Sequence, residues 1–363
     1  MSNEQIQKAG PNSNQIQTNT LIQINGLTEE QVRDIVNERC ELVTRTCLAE
    51  SKLIAEQRVS EFKTELYNST AANQNLLTSL REPSCVDSLE RAAKAATRSN
   101  EPRDKRLLAE LLAKRFESPH DRHIATGVNK AIEIVDMLTE EELAGLTVYY
   151  VAEGYSPTSP NISRGLETLD SLFQKLPLDI LPLGESWIDE LDVLDALRVT
   201  PFSTLRPLHE YYYDSLSGYT VRGIKLNTDE EKSARELIQN AMIPSDILVD
   251  HELNPGYLRV PIRDISEYSH LSITIIQDKT TENRPFDSLQ VEAVEKLIEM
   301  CKGNDCAEDI KARLQQRIGD FPSLSKVQVW WNSIPSAPRI TSVGRCLANA
   351  NARRLEPSLP EAE

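Results

Sequence analysis

Three short stretches bring together residue types that could do chemistry. In Ser118-Pro119-His120-Asp121-Arg122-His123, a His-x-x-His pair beside a carboxylate has the donor set of a zinc site. Such a site needs two further ligands, and none lies nearby in sequence. Ser118, Pro119 and Asp121 placed just before an apolar periodic run read instead as an ordinary helix start, capped by Asp121. Cys301 and Cys306 are separated by four residues, where zinc knuckles and dithiol redox motifs use two, and no second pair follows; they read as a helix end and a helix start. His209 and Glu210, ahead of Tyr211, Tyr212 and Tyr213, could make an acid/base pair. No Ser or Cys nucleophile sits in a strand-turn-helix context, however, and tyrosines in a helical run usually pack their rings and expose their hydroxyls. With 13 glycines the chain has neither G-x-G-x-x-G nor G-K-[ST], which excludes P-loop nucleotide hydrolysis. No catalytic, cofactor-binding or metal-ligating residue is assigned, and no cofactor is expected.

The 363 residues suggest two or three modules at roughly 150 residues each, and 39% hydrophobic with 26% charged residues is a globular composition. A net charge of −16 repels phosphate backbones and anionic lipid, so nucleic-acid binding would need a local basic patch. No basic-plus-apolar leader precedes residue 26, and no apolar run approaches the ~18 to 20 residues of a membrane span. The six scattered cysteines fit free thiols in a reducing compartment. The expectation is a cytoplasmic protein with no membrane partner.

Residues 1–11 are polar and expected to be disordered. In Asn12–Gly26, Ile16, Thr18, Thr20, Ile22 and Ile24 share one parity, with Gln15, Gln17, Asn19 and Gln23 opposite, which is the alternation of a strand. Thr28-Glu29-Glu30-Gln31 then offers a capping box. Val32, Ile35, Val36, Leu42, Val43, Leu53, Ile54, Phe62 and Leu66 predict one helix running to about Leu80, or two broken near Asn68-Ser69. Shorter amphipathic patterns follow over 84–99, 102–116, 121–138 and from a cap at Thr139 to Val151, giving an antiparallel bundle. Tyr155–Pro160 reads as a linker, followed by helices near 163–175 and 185–198. TVRGIKL, ILVDHEL and YLRVPIRDI read as short strands, the last two joined at Asn254-Pro255-Gly256. Helices ended by Gly303 and Gly319 follow.

In VQVWWNSIPSAPRITSVGRCLANANARR, Val327, Trp330, Trp331 and Ile334 fit a helix, while Val327, Val329 and Trp331 also fit a strand. An extended turn with Ile-Thr-x-x-Gly then leads into a last helix. This stretch resembles the closing part of winged-helix domains, and its basic residues Arg339, Arg345, Arg353 and Arg354 are candidates for phosphate contact.

NSNQIQTNTLIQINGLTEEQVRDI, with the long helix and the closing ITSVGRCLANAN, resembles a poorly characterised family of bacterial cytoplasmic proteins defined by its two ends. That resemblance brings no established activity. IQING is also similar to the Ile-Gln-Ile-Gly core of amyloid-type signalling motifs in immune adaptors, with Asn25 inserted, and the similarity points toward stress or anti-phage defence.

The expected fold is mainly α. It comprises an N-terminal β arm (1–26), a long helix with a helical bundle (27–155), a small mixed α/β module (161–276) and a helical, winged-helix-like C-terminal module (285–356). An unpaired strand leaves its backbone unsatisfied; its partner is either the same strand of other subunits or an edge in the later α/β element, with a disordered arm as the third reading. Because in-register amide ladders favour identical copies, Ile16, Ile22, Gln23 and Ile24 are assigned to self-association. The leading reading is a non-enzymatic, self-assembling scaffold, a homo-oligomer that also meets an unidentified protein partner. The alternatives are a winged-helix DNA-binding regulator contacting nucleic acid through Arg345, Arg353 and Arg354, and a hydrolase whose site is assembled from distant residues.

Overall fold

A computed structural model describes residues 29–70, 79–199, 203–266, 272–277 and 280–359, with the backbone alone for 29–48, 272–277 and 280–283. The strand expected over 1–26, with Ile16, Ile22, Gln23 and Ile24, and the cap at Thr28 lie outside the described residues. The fold is mainly α, as the periodicity implies, with fourteen α-helices among the described residues. In chain order these are α1 (Glu29–Thr70), α2 (Pro83–Arg98), α3 (Pro102–Glu117), α4 (Arg122–Ile134), α5 (Glu140–Gly154), α6 (Ile162–Phe173) and α7 (Ser186–Val193). Then come β1 (Leu197–Arg198), α8 (Leu208–Ser215), α9 (Ser217–Thr220), β2 (Ile224–Lys225), α10 (Asp229–Asn240), β3 (Val249–Asp250), β4 (Tyr257–Arg259), β5 (Ser272–Gln277) and β6 (Thr280–Pro285). The chain continues through α11 (Ser288–Cys301), α12 (Ala307–Gly319), α13 (Pro322–Asn332), β7 (Arg339–Ile340) and α14 (Ser342–Leu355).

The chain divides into two compact units, Met1–Glu56 and Gln57–Glu363. The first is described only through the opening 28 residues of α1, a helix of 42 residues that ends at Thr70, the residue after the Asn68-Ser69 break point.

In the second unit, one large core is built from helices. Residues 142–152 of α5 are all buried. A helix apolar around its whole circumference must lie inside. Its start is the expected capping box: Thr139 Oγ1 accepts from the Glu142 amide at 3.2 Å, and Glu142 Oε2 accepts from the Thr139 amide at 2.8 Å. The helix that encloses α5 comes from far along the chain, for α14 packs on α3, α4 and α5. Gly127 lets α4 approach α14 closely, since a Cβ there would sit 3.2 Å from Cys346 Sγ. In α13, Leu324, Val327 and Trp331 are buried while Val329 is 69% exposed. That spacing is helical, so the strand alternative for this segment does not hold.

A second, smaller core lies around an antiparallel sheet of order β2-β4-β3. Ile224, Val260 and Ile262 meet Ile238 of α10 and Val294, Leu297 and Ile298 of α11. One of the two helices that cover this sheet, α11, thus lies beyond residue 276. Gly256, at φ +88°, supplies the left-handed residue in the Asn254-Pro255-Gly256 turn. The β5–β6 hairpin, paired from Ser272↔Pro285 to Gln277↔Thr280, was not expected from sequence. The 155–160 linker is pinned: the Ser159 carbonyl accepts from Tyr219 Oη and the Pro160 carbonyl from Arg259.

Candidate functional site

The Ile-Thr-x-x-Gly segment works as a clamp. Ile340 pairs with Leu197 in a two-stranded antiparallel ladder, so this extended segment finds its partner near residue 197 rather than in a neighbouring hairpin strand. Thr341 Oγ1 accepts from the Gly344 amide at 3.1 Å, capping α14, and donates to the Asp195 carbonyl at 2.5 Å. The Thr341 amide donates to the Ala196 carbonyl at 3.1 Å. Asp195 sits at φ +61°, and its carboxylate is held by Arg198, which keeps its pKa below the ordinary value.

Once clamped, α14 shares a cavity of about 460 Å³ with α3 and α4. Lys114 of α3, His123 of α4, and Arg345 and Arg353 of α14 give it a basic rim, and Ile124, Cys346 and Ala350 give it apolar wall. Glu110, its one acidic residue, accepts from Ser69 Oγ at 2.9 Å. At the base, Asn349 Nδ2 donates to the hydroxyls of Tyr150 (3.3 Å) and Tyr155 (3.2 Å), which occupies both of its hydrogens. Burial pushes the Cys346 thiol up to about 11, against the opposing pull of Lys114. The thiol is therefore protonated at neutral pH and serves as wall rather than nucleophile.

The three arginines singled out in the sequence do not form one stripe. Arg345 and Arg353 reach the cavity. Arg354 turns away and donates to Asn351 Oδ1 at 3.0 Å; burial, then Arg106 and Arg103, depress its pKa.

Asp121 caps α4, accepting from the His123 and Ile124 amides at 2.8 and 3.1 Å, and these bonds lower its pKa. No group of three or more His, Cys, Asp or Glu is arranged to hold a metal among the described residues. Cys301 is buried at the end of α11, and Cys306 precedes α12 without a side-chain bond to its first turn, its thiol 3.7 Å from Tyr257 Oη. His209 Nδ1 is buried without a hydrogen-bond partner, so Glu210 does not orient the ring through that nitrogen. Tyr211 and Trp331 lie 5.7 Å apart, with Trp331 stacked on Tyr149 at 4.9 Å, which makes this aromatic run a packing element.

His251 was not singled out from sequence. It is buried, with Nε2 2.7 Å from the Val221 carbonyl and Nδ1 accepting from the Leu253 amide at 3.1 Å, a pairing that fixes a neutral ring protonated on Nε2. Burial is the main cause that lowers its pKa from 6.5 to about 4. The folded state therefore binds fewer protons between those values. This contribution is intact above pH 6.5 and lost as pH falls toward 4, about 3 kcal/mol in all at roughly 1.4 kcal/mol per pKa unit. Urea denaturation of the wild type across that range should show this slope, and His251→Gln should lack it. Identical slopes would mean that His251 is not the titrating group.

No helix among the described residues is long and apolar enough to cross a membrane. A protein-family model whose description names no activity matches residues 26–359, a span that takes in every described helix and strand. No curated protein and no solved structure matches the chain.

Proposed function

We propose, for a chain that belongs to the family matched over residues 26–359, a non-enzymatic scaffold that assembles with copies of itself through its long N-terminal helix. The observation that carries this reading is the outer surface of α1: Leu53 is 67% and Ile54 48% exposed, side by side on a 42-residue helix. A single exposed leucine would be ordinary. These two continue a run that includes Val32, Ile35, Val36, Leu42 and Val43 in the sequence of the same helix. A long helix gains most of its stability from burying an apolar face, and the same helix of a second copy supplies a self-complementary cover. Pairing of the Ile16, Ile22 and Ile24 strands would then add to helix pairing.

Light scattering on the full chain should give a multiple of 40.9 kDa. Leu53→Glu combined with Ile54→Glu should shift the mass toward the monomer, since burying each aliphatic contributes on the order of 1.5 to 3 kcal/mol. Ile22→Asp with Ile24→Asp should weaken assembly further, and Gln23→Lys should do so if the strands stack in register. A wild-type chain that is monomeric at tens of micromolar would remove the proposal.

A further inference from the structure

We propose that the cavity between α3, α4 and α14 binds a small amphipathic anion, with its charged end between Arg345 and Arg353 and its apolar body against Ile124, Cys346 and Ala350. At about 460 Å³ the cavity has the size range of small-molecule sites, which are mostly apolar with a few convergent polar groups. The sign of its charge is opposite to that of the molecule. Lys114, Arg345 and Arg353 bring three positive charges to the lining against one from Glu110 within it and one from Glu117 beside it, 4.0 Å from Lys114 Nζ, in a chain of net charge −16. Glu153, whose carboxyl burial holds toward the neutral form, lies in the field of Arg345 but outside the lining.

Side-chain chemistry narrows the ligand class further. Both hydrogens of Asn349 Nδ2 are taken by Tyr150 and Tyr155, leaving that residue only its carbonyl oxygen, an acceptor and so the wrong polarity for an anionic head. The head belongs at the rim, where the guanidinium forks match carboxylate or phosphate geometry. Below it, the neutral Cys346 thiol, Ile124 and Ala350 supply an apolar lining. A bare inorganic anion would leave that apolar lining unfilled, and a duplex would have to approach a chain of net charge −16 for the sake of so small a basic rim. Leu53 and Ile54 take no part in the lining, so binding here and assembly through α1 can fail separately.

Isothermal titration of the full chain with octanoate, octanol and inorganic phosphate tests the proposal. Octanoate should bind saturably at one site per chain and more tightly than either control. Arg345→Gln, at an exposed position, should weaken octanoate at least tenfold while changing octanol less than twofold. Ser342→Trp, exposed at the mouth, should block octanoate with the melting temperature unchanged. The proposal is overturned if octanoate does not saturate, if phosphate binds as tightly, or if both variants bind octanoate as the wild type does. Submicromolar binding of a 20-base-pair DNA at physiological salt, lost in Arg345→Gln, would overturn it in favour of nucleic-acid contact.

Discussion

Gly344→Ala should lower the unfolding free energy by about 3 kcal/mol or more, because overpacking against an immovable neighbour has few ways to relax. A Cβ at residue 344 would sit 2.1 Å from the Ala196 carbonyl oxygen and 3.0 Å from its carbon. That carbonyl is not free to retreat: it accepts from the Thr341 amide at 3.1 Å, and the Ala196 amide is tied to the Leu191 carbonyl at 2.8 Å. Gly319→Ala is the matching control, since nothing lies within 4 Å of its added methyl, and it should change stability by less than about 1 kcal/mol. Urea midpoints of the two variants measured together decide the matter. Equal midpoints would show that α14 can slide away from β1.

The second large effect is expected at Arg259, which is 1% exposed and whose two terminal nitrogens donate to carbonyl oxygens. Its Nη2 donates to Pro160 at 2.6 Å, and its Nη1 lies within 3.2 Å of the Gly218, Val260 and Ile262 carbonyls. The guanidinium also lies over the Tyr219 ring at 5.6 Å. Burial lowers its pKa, with Glu252 pulling the other way. Arg259→Met keeps the stem but strands the carbonyls without a donor, and should cost about 3 to 5 kcal/mol. Arg259→Lys should recover only part of this, because one ammonium cannot span acceptors from three segments. Far-UV dichroism during denaturation gives the comparison; full recovery in the lysine variant would mean that charge, not the fork, is what matters.

Local signals were legible wherever the residues that decide a feature are neighbours in sequence. Thr139 with Glu142, Asp121 with the two amides that follow it, and Asn254-Pro255-Gly256 each carry their cap or turn within four residues. The β5–β6 hairpin was missed because Thr280–Pro285 holds Glu, Asn, Arg and Pro, residues of low strand preference; pairing with Ser272–Gln277 makes the strand, not its own propensity. The cavity was half legible. Arg345 and Arg353 drew notice as basic residues on one helix, and His123 as a metal candidate. Nothing in the spacing says that residues 110–124 and 342–353 share a wall, because that depends on the clamp at Ala196 and on the close crossing at Gly127. Arg259 sits in a stretch that reads as an ordinary strand, and its three carbonyl-bearing partner segments begin as far away as Pro160.

The packing of α14 on α3, α4 and α5 also sets an order of events during synthesis. Gly154 ends α5 and Ser342 begins α14, about 190 residues later. At roughly 5 to 20 residues per second, the ribosome needs about 10 to 40 s to bridge that interval. Through all of it, the faces of α3, α4 and α5 that receive Leu347, Ala348 and Ala352 have no lid, and the nascent bundle carries open apolar surface while the second core is still being made. A ribosome stalled before residue 342 would therefore hold a chain with most of its helices and an exposed groove, the kind of species that holding chaperones recognise. Crosslinking to a holding chaperone should be strong for a chain ending before residue 342 and fall sharply for the chain that includes α14.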